Sequence, residues 1–174
     1  MKKIGFIDYF LDEWHANNYP KFIKDAVGDE FVVAYAYGEI DSPNGKTNRE
    51  WADSFGVELL GTIDEVIEKS DVLIVLSPDH PERHWDLCQK PFRSGKRVYV
   101  DKTFAPSKKI AEDLVKLADE NNTPFFSSSA LRFSDELTTV GHDNIAFINS
   151  RGPGDFDTYS LSLIHISEPT RPEP

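Results

Sequence analysis

The stretch DVLIVLS, residues 71–77, constrains the fold more than any other feature of the chain. It is an unbroken apolar run, without the alternation of a strand that has one wet face. Such a run reads as a strand covered on both sides. Other strand-like runs precede and follow it: KIGFID (3–8), FVVAYAYG (31–38), RVYVD (97–101) and PFFSSS (124–129). Amphipathic stretches fill the gaps. Residues 15–27 read as a helix, and Trp51 to Phe55 as a short one. Thr62 and Glu65 form a capping-box pattern ahead of IDEVIEKS. Pro81 suits the first turn of a helix reaching about Phe92, and Ser107 suits the cap of KKIAEDLVKLADENN. Ile110, Leu114 and Leu117 share one stripe of that last helix. Alternation of this kind predicts an α/β fold, a Rossmann-like, doubly wound parallel sheet of three layers. Ligands of such sheets sit beyond the carboxyl ends of the strands, so the residues just after each strand become candidates.

Thirty acidic residues against nineteen basic ones give a net charge of −11. A phosphate surface would repel that charge, so a nucleic-acid or anionic-membrane partner is not expected. Hydrophobic residues make up 39% of the chain, enough for a packed core. Cys88 is the single cysteine, which rules out an internal disulfide and suits a cytoplasmic location. The start, MKKIGFIDYF, shows neither a signal-peptide pattern nor a membrane span.

The rhythm of strands and helices ends near residue 134. The reading of domains is therefore 1–134 for the sheet domain and 135–160 for the opening of a second, truncated domain. Residues 161–174 form a separate tail. LSLIHISEPTR (161–171) resembles a translated sequencing-library adapter, so His165 is given no functional weight. The natural protein is expected to continue past Ser160.

SGKRVYVDKTFAPS (94–107) resembles the "aGKhVlcEKPla" signature of the glucose–fructose oxidoreductase / inositol dehydrogenase (Gfo/Idh/MocA) family. FGVELLGTIDEVIEKSDVLIVLSPDHPERH resembles the stretch before that signature, and FFSSSALRFS the strand and Arg-Phe after it. The similarity runs over about residues 3–150. It implies an oxidoreductase using NAD or NADP, with a Rossmann domain followed by a substrate domain of mostly antiparallel sheet. Lys102 matches the family lysine that holds the reacting hydroxyl and assists proton transfer. A dinucleotide would then lie against Ile7, Asp8, Phe10 and Leu11, against Tyr37, against Ser77, Pro78 and His80, and against Asp101 and Lys102. His84 matches the family histidine that follows the proline.

The chain departs from the pattern in places. After the first strand such enzymes carry a G-x-G-x-x-G-like loop, whose glycines let the backbone approach a diphosphate. Here the loop is DYFLDEWH, with Asp8, Phe10 and Glu13 where glycines belong. Carboxylates there would compete with a diphosphate for the helix amides, or Asp8 or Asp12 caps the helix. Tyr37 stands where an acidic residue usually addresses the ribose, with Glu39 and Asp41 following. Ser42, Lys46 and Arg49 could receive a 2′-phosphate or form solvated surface, so NAD and NADP both stay open. Asp101 replaces a glutamate and Thr103 a proline beside Lys102.

Other residues invite chemistry less strongly. His80 and His84 have metal-ligand spacing, but Pro81 separates them and no third ligand is evident. Ser127, Ser128 and Ser129 lack a paired base and read as a strand end. Arg132 could face a substrate anion or a carboxylate such as Asp135. Cys88, Trp14 and Trp51 read as packing residues. Two functions are carried forward. One is the nucleotide domain of an NAD(P)-dependent oxidoreductase acting on a sugar, cyclitol or related hydroxy compound, inactive without its second domain. That enzyme would take a small-molecule substrate and could form homo-oligomers through the second domain. The other is a non-catalytic binding or sensing protein with weak dinucleotide affinity.

Overall fold

The computed structural model describes residues 1–77, 79–133 and 135. Expectations for Pro78, for most of 135–160 and for the tail 161–174 lie outside the described residues. The chain divides into two compact units, Met1–Ser127 and Ser128–Pro174. Of the second unit, the description covers a short 3₁₀ turn, Ala130–Phe133.

The first unit is a six-stranded sheet. Its strands are β1 (Lys2–Asp8), β2 (Phe31–Gly38), β3 (Glu58–Leu59), β4 (Val72–Val75), β5 (Arg97–Val100) and β6 (Phe125–Ser127). Their spatial order is β3-β2-β1-β4-β5-β6, and every pairing is parallel. The expected Rossmann-like architecture is therefore present. The run at 71–77 lies inside the sheet, with β4 bonded to β1 on one edge and β5 on the other.

Five helices cover the sheet: α1 (Trp14–Val27), α2 (Asn48–Phe55), α3 (Ile63–Lys69), α4 (His84–Cys88) and α5 (Lys108–Glu120). Alternate residues of β1 serve opposite faces. Ile4 and Phe6 join a core with Ala16 of α1 and Trp51 and Ala52 of α2. Ile7 joins the other core, with Val66 of α3, Leu87 of α4 and Leu114 of α5. Trp51 is fully buried and its indole N–H donates to the Asn17 side chain at 2.8 Å. Cys88 is likewise a core residue, and burial pushes its thiol well up.

Some local expectations need correction. The stretch 81–92 is not one helix. It breaks into a 3₁₀ turn at Pro81–Arg83, α4, and a second 3₁₀ turn at Pro91–Arg93. Pro91 has no N–H to continue the ladder. A reciprocal capping box forms at Thr47 and Glu50, at the start of α2. At α3, Thr62 accepts from the Glu65 amide, but the Glu65 carboxylate reaches back to Gly61 N–H instead. Trp14 is 60% exposed, so it is no packing residue within this unit.

Gly5 shows how tightly α3 is seated. A β-carbon there would lie 2.3 Å from Ser70 Oγ and 2.4 Å from Val66 Cγ1. Gly5→Ala is expected to lower stability by about 1–3 kcal/mol through overpacking, read as a lower urea midpoint at unchanged denaturant slope.

Candidate functional site

The strand order reverses its direction of growth between β1 and β4, and this is where ligands of such sheets bind. The two strand ends are held together by Leu76 N–H donating to Ile7 O at 2.9 Å. Beyond them lies a small pocket of about 10 Å³, room for roughly one water, lined by Asp8, Tyr9, Phe10, Glu13, Ser77, Asp79 and His80. A pocket for a drug-sized ligand spans roughly 300–1,000 Å³, so this one is smaller than a dinucleotide needs.

The loop leaving β1 is tied down along its length. Glu39 N–H and Ile40 N–H donate to Asp8 O and Tyr9 O. Leu11 turns into the core, and its N–H donates to Asn48 Oδ1 at 2.9 Å. The Asn48 amide donates in turn to Ile40 O at 2.7 Å. Asp12 accepts from Asn17 Nδ2 and from the backbone N–H of Lys46. The Lys46 amide is the main reason the Asp12 carboxyl lies below its ordinary range. A side chain at Gly45 would begin 2.2 Å from that carboxylate.

Neither Asp8 nor Asp12 caps α1. The cap is Glu13, whose carboxylate accepts from the N–H groups of His15 and Ala16. The same carboxylate meets His15 Nδ1 at 2.8 Å. The other ring nitrogen of His15 faces Asp101 Oδ2 at 3.5 Å. Asp101 Oδ1 accepts from Tyr99 OH at 2.9 Å and Tyr19 OH at 3.3 Å. Burial first, and the Asp101 charge second, push both phenols well above their ordinary range.

Asp8 is the most confined of these groups. It is 1% exposed; Oδ1 accepts from Tyr9 N–H at 2.7 Å, and Oδ2 has no partner among the described residues. Burial, followed by the nearby Glu13 charge, raises its carboxyl well above the ordinary value. Burial thus favours the neutral form of Asp8.

Aromatic rings close the outer side. His80 meets Tyr9 and Phe10 edge-on at 5.1 and 5.9 Å. The Arg83 guanidinium lies 5.1 Å over the Tyr9 ring and pairs with Glu39, just beyond β2. Ser77 has a positive φ of 79° and its hydroxyl donates to His80 O at 3.2 Å.

The sequence-predicted residues thus divide. Asp8, Phe10, Ser77 and His80 line one cavity. Ile7 and Leu11 are core residues with fully buried side chains, and Tyr37 packs partly against the core. His84 does not reach the groove. It is fully buried, with Nε2 2.6 Å from Leu76 O and Nδ1 3.0 Å from Phe104 O. Burial lowers its pKa, the two carbonyls act against that shift because each favours a donating ring N–H, and the ring joins the end of β4 to the loop after β5. No metal-binding group of His, Cys, Asp or Glu occurs among the described residues. Asp101 points into the tyrosine and histidine cluster. Lys102 follows β5, half-buried, with no ion-pair or hydrogen-bond partner among the described residues. The Lys102–Thr103 peptide is cis. Arg132, in the second unit, is exposed and its backbone N–H donates to Ser129 O. Glu13's role as cap, His15, Tyr19, Asn48 and Arg83 were not singled out from sequence. The one available signal was an acidic residue directly ahead of the α1 pattern.

The fold and the switch-point crevice define a dinucleotide-binding class of domain. A model of the oxidoreductase family with an NAD-binding Rossmann fold matches residues 25–128, and the chain belongs to that Gfo/Idh/MocA family. The uncharacterized oxidoreductase YhhX of Escherichia coli is 31% identical over 62 residues, covering 36% of this chain and 18% of YhhX. Among solved structures, an NAD-binding protein from Listeria innocua aligns with a TM-score of 0.62 at 18% identity, over 78% of this chain and 37% of that one. The WlbA dehydrogenase from Bordetella pertussis, solved with NADH and UDP-GlcNAcA, gives 0.61 at 15%, over 78% and 39%. Biliverdin reductase from Synechocystis, solved with biliverdin and NADP+, gives 0.57 at 15%, over 72% and 37%. The chain spans well under half the length of each of these proteins. No helix among the described residues is long and apolar enough to cross a membrane.

NAD or NADP is the cofactor of this fold family. The first loop of this chain, as formed, does not fit the diphosphate of such a molecule. The amides that would receive it already bind Glu13, and a buried carboxyl, Asp8, stands behind them.

The Asp8 environment has a measurable consequence. Its folded pKa is raised, so the folded state holds a proton that the unfolded chain has released. Stability attributable to this group therefore falls as pH rises from the ordinary carboxylate range toward its folded value. Asp8→Asn keeps an acceptor for Tyr9 N–H and removes the ionisation. Urea unfolding should show a gain in midpoint for the variant that is larger near pH ~8 than near pH ~5. An equal change at both values would contradict the assignment.

Proposed function

We propose that this chain is the nucleotide domain of an NAD(P)-dependent oxidoreductase that acts on a sugar, cyclitol or related hydroxy compound. Family membership supports the reaction class. The observation that carries the residue assignment is Lys102. It follows β5 at the ligand end of the sheet, beside the crevice, and its ammonium has no partner among the described residues. A three-donor ammonium in that place suits holding a substrate oxygen and passing a proton to or from it. Arg132 is assigned to an anionic or polar group of the substrate. The relatives are about twice as long, which supports a substrate domain beyond this chain and inactivity of the chain alone. A homo-oligomer formed through that domain and a cytoplasmic location complete the reading. The single buried cysteine accords with a reducing compartment.

A second reading is favoured by one observation, the Glu13 carboxylate on the α1 amides. It is a non-catalytic binding protein that kept the fold and lost tight dinucleotide affinity.

The test uses the full-length protein with its second domain. Lys102→Ala should lower turnover of a hydroxy substrate by roughly 100-fold or more and leave cofactor affinity nearly unchanged. Wild-type turnover in the variant would remove Lys102 from the mechanism. Absence of turnover with either nicotinamide cofactor in the wild type would favour the binding protein.

A further inference from the structure

We infer that Glu13 sets the affinity of this domain for diphosphates, by acting as a built-in occupant of the anion site at the start of α1. The inference rests on the dinucleotide-binding reading above and deepens it.

The amides of the first turn of a 14-residue helix are the natural anion receptor at this switch point. Two of them, His15 N–H and Ala16 N–H, already donate to a carboxylate from the chain itself. The Glu13 side chain is only 8% exposed, so it is seated and not merely nearby. His15 Nδ1 on the same oxygen adds a third contact. A diphosphate and this carboxylate cannot hold the same amides, so binding requires Glu13 to leave.

Asp8 is the independent sign that the cavity is built for a ligand. Its Oδ2 is buried without a partner, and the cavity is lined by Asp8 and Glu13 together. An unpaired buried polar atom is costly, and an incoming group could satisfy it. In the neutral form that burial favours, Asp8 can donate a hydrogen bond to a phosphate oxygen. With Glu13 seated the cavity presents a carboxylate; with Glu13 out it presents two amides and one hydroxyl donor. The acidic loop is thus a lock on the site, and one residue holds the lock.

Two variants of the 174-residue chain test this. Glu13→Gly frees both amides, and glycine is tolerated at a helix N-cap. Glu13→Gln removes the charge and keeps an acceptor at the cap, so the helix start is preserved. Circular dichroism and urea unfolding establish that each is folded. Binding of NADH by fluorescence, and of inorganic pyrophosphate and adenosine by calorimetry, is compared with the parent chain. For both NADH and pyrophosphate, Glu13→Gly should bind at least ~10-fold tighter, a change of about 1.4 kcal/mol, with a smaller gain for Glu13→Gln. Adenosine, which has no phosphate, should be unaffected. A gain for pyrophosphate with no NADH binding in any form would uphold the role of Glu13 and sink the dinucleotide reading. Absence of turnover with either nicotinamide cofactor in the full-length protein would sink the oxidoreductase reading and leave the binding result standing. Equal or weaker pyrophosphate binding in both folded variants, or a gain shared by adenosine, would overturn the inference.

Discussion

Everything at the ligand end of the sheet depends on β1 being enclosed. It is bonded to β2 along one edge and β4 along the other, and its side chains enter a different core on each face. A strand so placed cannot shift its register without exposing Phe6 and Ile7. Its end at Asp8 is therefore a fixed point, and the following loop must leave over the crevice. In a glycine-rich loop that exit is thin. Here it carries Tyr9, Phe10 and Leu11, and each needs somewhere to go. Leu11 takes the core beneath α2, while Tyr9 and Phe10 meet His80 edge-on. The crevice is narrowed by the bulk of its own wall.

Electrostatics follow from the same crowding. Asp8, Glu13 and Asp101 crowd around the end of β1, and Asp8 feels the charge of both others. Three ionised carboxylates in so dry a place would repel strongly. The chain relieves this in three ways. Burial favours the neutral form of Asp8. Glu13 is spread over two amides and an imidazole. Asp101 takes two phenol donors. His15 stands between Glu13 and Asp101, so the cluster is joined through one ring.

Much of this fold could be read from residues alone, and the exceptions have definite causes. The run at 71–77 marks an interior strand because the five residues between Asp71 and Ser77 are all apolar. The strands at 31–38 and 97–100 stand out for the same β-branched and aromatic content. The break within 81–92 was hidden because the amphipathic pattern continues through Pro91, where the hydrogen bonds cannot. His84 was read into the groove from its place after a proline. Only the folded chain brings Leu76 O and Phe104 O to its two nitrogens. The α1 cap was sought in Asp8 and Asp12 because short acidic side chains are the usual caps. The longer Glu13 does that work, since Asp8 ends inside the sheet and Asp12 is drawn to the 46 amide. Such choices between neighbouring carboxylates are made by tertiary contacts and leave little trace in local sequence.

The ties on the first loop also bear on how far it can be redesigned. Asp12, Asn48, Gly45 and the Lys46 amide fit one another across two separate segments. A substitution at Glu13 can empty the helix amides, but it leaves the loop on its present path. Restoring a glycine-lined path would strip Leu11 from the core, leave the Asn48 amide without its partners and strand the Asp12 carboxylate. Each of those losses is destabilising. A redesign of this loop would therefore have to begin at Asn48, far in sequence from the residues it retains.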